Sequence, residues 1–187
     1  MQTMVKYFIF VCMALNCIFI PETALAMKPA KFTQSDNVDI TFNQFRLISK
    51  QNTESDGYST DGITQLIDGT GKVLWSIPGF VGRQGKSLSP DGKILVLSGD
   101  KHNAGLFQLN KDAVLATIFD QGKLIKTVQL MDVFSEDPET LASQLKVNVY
   151  GGGWVERSLF IKNQTIDWKR RIINFTHYNG KVKEISF

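Results

Sequence analysis

The stretch from Ser87 to Leu130 constrains the fold of this chain more than any other. It reads S-L-S-P-D-G-K-I-L-V-L-S-G-D, then a polar loop, then A-V-L-A-T-I-F-D-Q-G-K-L-I-K-T-V-Q-L. Each half sets a short glycine turn, Pro90 to Lys93 or Asp120 to Lys123, beside β-rich segments, the pattern of a twisted antiparallel sheet. In the first turn Pro90 pre-sets φ, Asp91 can accept from the backbone ahead, and Gly92 suits a left-handed position. A type I turn closed by a glycine bulge is expected there. Ile94 to Leu97 is uninterruptedly apolar, which predicts a central strand covered on both faces. Turns of similar chemistry recur at Asp68 to Lys72 and Asn179 to Lys181.

The sequence Ser89-Pro90-Asp91-Gly92-Lys93, followed by Ile94 to Leu97, resembles the S-P-D-G-K-x-L strand pair of TolB-type and WD40-like β-propeller blades. A wider order runs from the Trp75 strand, through this turn and Phe119 to Val133, to a late Trp and Tyr178 to Val182. From about Ile63 to Phe187 it is similar to a set of uncharacterised secreted bacterial β-rich proteins. The resemblance implies β architecture and no particular activity, because blades serve enzymes, receptors and scaffolds alike. Propeller repeats recur every ~40–45 residues, whereas the turns here fall unevenly, near residues 70, 91, 121, 163 and 179. The expected fold is therefore mainly β: a single domain of twisted antiparallel sheets, propeller-fragment-like or a sandwich, with one short helix near 138–145. A regular four-blade ring is the alternative.

Along the chain, Val38 to Phe42 alternates as a half-buried strand, and Phe45 to Ile48 continues or pairs with it. Lys50 to Gly62 reads as a loop. Ile63 to Ile67 and Val73 to Ile77 form a hairpin with Trp75 as its core anchor. Pro78 to Gly85 reads as a flexible glycine-rich crossing between strands. Leu106 to Leu109 and Ala113 to Phe119 are read as a hairpin across Asn110 to Asp112. Leu130 to Phe134 suggests a helical turn. Asp137 at the N-cap and Pro138 at the first helical position open a helix with Leu141 and Leu145 on one face. Trp154 to Ile161 and Thr165 to Phe175 are read as a hairpin across Lys162 to Gln164. Strand alternation would then send Arg170 to the face opposite Lys169 and Arg171. Val182 to Phe187 closes the chain as a docked strand.

At the N-terminus Lys6 precedes an apolar stretch, Tyr7 to Ile20, and then Ala24-Leu25-Ala26, the order of a secretory signal peptide with an A-x-A cleavage site. The expectation is a signal peptide over 1–26 and a β-rich domain over 27–187, secreted or periplasmic, with no stable membrane insertion after cleavage. Cys12 and Cys17 both leave with the signal. No disulfide is then expected in a compartment that would allow one, and thiol chemistry is excluded. The net charge of +3 is spread among interleaved lysines and aspartates, which argues against nucleic acid as a partner.

Candidate chemistry is sparse. The chain has two histidines, His102 and His177. His102 lies in the most polar central loop, where Asp100 could orient it as a base. Asp100, Lys101, His102 and Asn103 are the candidate binding residues. No G-x-S-x-G elbow occurs. Asp56, Asp61 and Asp68 lie near glycines without EF-hand spacing, so no metal or cofactor is expected. The leading expectation is an exported non-catalytic module that binds a protein or cell-envelope component through its loops. The alternative is a small secreted hydrolase using His102, with or without a metal.

Overall fold

The computed structural model describes residues 31–33, 36–52, 59–99, 106–145 and 153–187. The signal-peptide expectation and the loop at Asp100 to Asn103 lie outside these residues. Strands dominate, and every pairing is antiparallel. The first sheet is a meander of β1 (Val38–Phe42), β2 (Phe45–Gln51), β3 (Gly62–Ile67) and β4 (Val73–Pro78). The second contains β5 (Gly85–Leu88), β6 (Ile94–Ser98), β8 (Val114–Asp120) and β9 (Lys123–Gln129), in the order β5-β6-β8-β9. β7 (Leu106–Gln108) leaves that sheet and pairs with β10 (Trp154–Glu156). The third sheet is β11 (Ile161–Asp167), β12 (Ile172–His177) and β13 (Val182–Ser186).

The sheets are stacked, with the second in the middle. Alternation along β6 divides its side chains between two cores. Leu95 and Leu97 join Leu47, Leu66, Trp75 and Ile77 of the first sheet. Ile94 and Val96 join Ile118, Val128, Ile173 and Phe175, so this core links the second sheet to the third. All four residues from Ile94 to Leu97 are buried, as their continuous apolarity predicts.

The Ser89 to Ile94 corner shows how the turn residues build this frame. Gly92 N–H donates to Ser89 O at 2.9 Å, and Ser89 N–H donates to Ile94 O at 2.8 Å. The Asp91 carboxylate accepts from Ser89 Oγ at 2.7 Å and from Lys93 N–H at 3.2 Å. Gly92 has φ of 72°, and a Cβ there would meet the Phe45 ring at 2.8 Å. Its carbonyl accepts the buried Trp75 indole N–H at 2.8 Å. The anchor of the first sheet thus clamps the corner of the second. Gln121 and Gly122 have φ of 48° and 80°, the left-handed pair a two-residue β8–β9 hairpin requires.

The helical expectation holds. Helix α1 (Leu130–Val133) is one short turn, and helix α2 (Pro138–Leu145) follows. Asp137 caps α2 by accepting Thr140 N–H at 2.9 Å, and Leu141 is buried with Leu145 packed beside it. Three local readings are corrected. Asn110 to Asp112 does turn, with Ala113 N–H on Asn110 O, but it joins strands of different ladders rather than a hairpin. Residues Lys162 to Gln164 lie within β11, with an irregularity between Ile161 and Asn163. The hairpin turn is instead Trp168 to Arg171, where Asp167 accepts Arg170 N–H at 2.9 Å and Arg171 takes φ of 54°. A side-chain acceptor at the strand end makes this turn without a glycine. Arg170 and Arg171 are therefore turn residues, paired with Glu184 and Asp120.

The Pro78 to Gly85 crossing is also corrected: it is pinned. Phe80 and Val81 are buried. Phe80 meets Phe32 edge-on at 5.0 Å. Arg83 makes a two-pronged ion pair with Asp36 at 2.6 and 2.8 Å. The guanidinium beside it holds the Asp36 carboxyl at a pKa of about 2.

Candidate functional site

The first sheet covers only part of the middle sheet's facing surface. Cross-strand register places Leu97, Thr117 and Thr127 in one row, and Leu95, Phe119 and Leu124 in the next. Leu95 and Leu97 are buried, whereas Leu124 is 59% exposed. The uncovered β8–β9 half forms the floor of a groove of about 350 Å³, with Ile77 to Val81 along its wall. Among the described residues no ionisable side chain lines it.

Polar groups close the core at the groove's end. Val81 N–H donates to Ser49 Oγ at 3.1 Å, Ser49 Oγ lies 2.7 Å from Thr64 Oγ1, and Thr64 Oγ1 donates to Gly79 O at 2.8 Å. A carbonyl can only accept, so Thr64 spends its proton there and Ser49 must donate to Thr64. The relay runs one way and every buried group in it is satisfied. Lys86 Nζ donates to the carbonyls of Gly82 and Gln84 at 2.6 Å each, and burial pushes its pKa down. Gln84 donates to Gly99 O at 2.9 Å. Gly99 lines the groove and immediately precedes the candidate residues Asp100 to Asn103, which lie outside the described residues.

The other histidine has a defined environment. His177 stacks on Phe134 with ring centroids 4.4 Å apart, beside a cavity of about 370 Å³ shared with Glu136, Tyr178, Lys181 and Lys183. Its Nε2 is sealed without a hydrogen-bond partner. Burial is the main cause depressing its pKa; Lys181 and Lys183 add to this, while Glu136 and a backbone hydrogen bond with Val133 oppose it. A signal for this burial exists in the sequence, since Ile173, Phe175 and His177 share one face by the period of two.

Of the aspartates considered for calcium, Asp68 is held within its own turn. Asp68 Oδ1 is engaged by Thr70 N–H, Thr70 Oγ1 and Lys72 N–H, a turn closing on itself. Asp56 lies outside the described residues, and among those described no cluster of three or more metal-ligating side chains occurs. Among the described residues no helix is long and apolar enough to cross a membrane. No protein-family model and no curated protein sequence matches this chain.

Proposed function

We propose that this chain is an exported, non-catalytic β module that binds a protein or cell-envelope component, and that the groove over β8 and β9 receives it. The observation that carries this reading is the lining: an apolar floor with threonines and carbonyls and, among the described residues, no ionisable side chain. Such a surface can bind apolar groups and a few hydrogen-bonding groups, whereas acid–base chemistry needs a titratable side chain within reach. The occupant this geometry suits is an extended segment of a partner protein. β9 is the last strand of the middle sheet, and an added strand could pair along such an edge.

The test is a photo-crosslinking side chain at position 127, which lines the groove beside Leu124, used on the full chain in envelope extract. One discrete product is expected, and Leu124→Asp is expected to reduce its capture at least tenfold while leaving the melting curve unchanged. Equal capture by Leu124→Asp would remove the groove from the reading. Hydrolysis of a test ester that is lost in His102→Ala would replace it with the hydrolase reading.

A further inference from the structure

The core between the second and third sheets ends in a different polar cluster. Ser98 Oγ, at the end of β6, accepts Gln164 Nε2 at 2.7 Å, and Gln164 Oε1 accepts from Arg157 Nη2. Arg157 follows β10 in a 3-10 turn, Arg157–Leu159. It is half-buried, and no carboxylate pairs with it among the described residues. Gln164 is its one protein acceptor there; Nε is sealed without a partner, and Nη1 opens to solvent. Burial depresses its pKa, and among the described residues no neighbouring charge helps to hold the proton.

A guanidinium kept for structure ordinarily has its charge balanced and its five donors engaged, because removing a charge from water is costly. Arg157 has neither. Its position is nonetheless fixed, through Gln164, by Ser98 of another sheet. We propose that Arg157 anchors a carboxylate-binding site at this end of the inter-sheet core, with the open side of its guanidinium as the recognition element. A carboxylate suits the planar donor fork. A singly charged anion also balances a single cation flanked by a neutral amide and a hydroxyl, which a phosphate dianion does not. This site lies on the opposite side of the middle sheet from the groove and does not depend on the reading of that groove.

Acetate, phosphate and chloride are to be titrated into the full chain at matched ionic strength, following the Arg157 Nε–H resonance, assigned by its absence in Arg157→Lys. Acetate is expected to move it saturably and to raise Tm, with chloride doing neither and phosphate binding at least fivefold more weakly. Arg157→Met, which keeps the side-chain volume, is expected to melt at or above wild type without acetate and to lose the acetate-dependent rise. Leu124→Asp should keep that rise. A short peptide with a free C-terminal carboxylate, compared with its amide, separates a chain terminus from a small free acid: binding by the peptide acid places a protein terminus in the site, and binding by acetate alone places a small metabolite there. A shift linear in acetate, an equal effect of phosphate, or a Tm rise retained in Arg157→Met would overturn the site.

Discussion

The two cores on either side of the middle sheet end in polar clusters that differ in one respect. On the first-sheet side, Ser49, Thr64, Gly79 and Val81 form a closed relay, and the Lys86 ammonium rests on two carbonyls. On the third-sheet side, Ser98 and Gln164 lead to a guanidinium with a sealed, unpartnered Nε. Both place a cation where water is scarce and where, among the described residues, no carboxylate answers it. A lysine has three donors that can rotate to nearby carbonyls, whereas the planar arginine fork needs acceptors at fixed angles. The first cluster uses polar groups to seat the Pro78 to Gly85 crossing, so it is complete without a ligand. The second has binding capacity left over.

The largest way to break the first side is Trp75→Ala. It removes a buried indole and the bond to Gly92 O, so a loss of about 3–5 kcal/mol in urea unfolding is expected. Gly92→Val should follow. The left-handed backbone alone costs roughly 1–2 kcal/mol, and the new Cβ would press on the Phe45 ring. If Gly92→Val unfolds at the same urea concentration as wild type, the corner is not the clamp described.

Thr64→Val then compares the two clusters directly. It leaves the Ser49 proton without its acceptor and Gly79 O without its donor, so a loss of about 1–3 kcal/mol is expected. Ser98→Ala is expected to cost less, about 0.5–1 kcal/mol, because it removes one acceptor from a part-buried amide. Equal losses would mean that the two clusters do not differ in completeness.

How much of this was legible beforehand follows from the range of the forces. Pro90, Asp91 and Gly92 act within five residues, so their corner could be read directly. The Ile94 to Leu97 run announces burial on both faces by itself. The Asp137 cap with Pro138 is equally local. The hairpin at Trp168 to Arg171 was missed because its acceptor is an aspartate at the strand end and its left-handed residue is an arginine. Lys162 to Gln164 looked like a turn through polarity, although Gln164 is polar because it bridges to Ser98, 66 residues away in the chain. The pinned crossing depends on Phe32 and Asp36 from before β1, and no spacing rule reports such a meeting. The groove was also invisible, since it arises from how far one sheet covers another.

Acid sharpens the comparison last and most gently, because the two sides respond in different pH windows. Asp36 has a folded pKa of about 2 against an ordinary 3.8, chiefly through its hydrogen bonds to Arg83. The folded state therefore binds that proton less readily than the unfolded chain. Its contribution is present above about pH 4 and is lost as pH falls toward 2. Allowing for solvent screening, it is of order 1 kcal/mol. His177, on the third-sheet side, is also depressed below its ordinary 6.5, chiefly by burial. The unfolded chain takes up that proton first, so stability is intact above about pH 6.5 and begins to fall below it. His177→Phe, which keeps a ring against Phe134, should flatten the slope of Tm against pH between 6.5 and 5 while leaving the loss below pH 4. Asp36→Asn should do the reverse. If one substitution flattens both windows, the crossing and the β12–β13 hairpin are not titrating as separate regions.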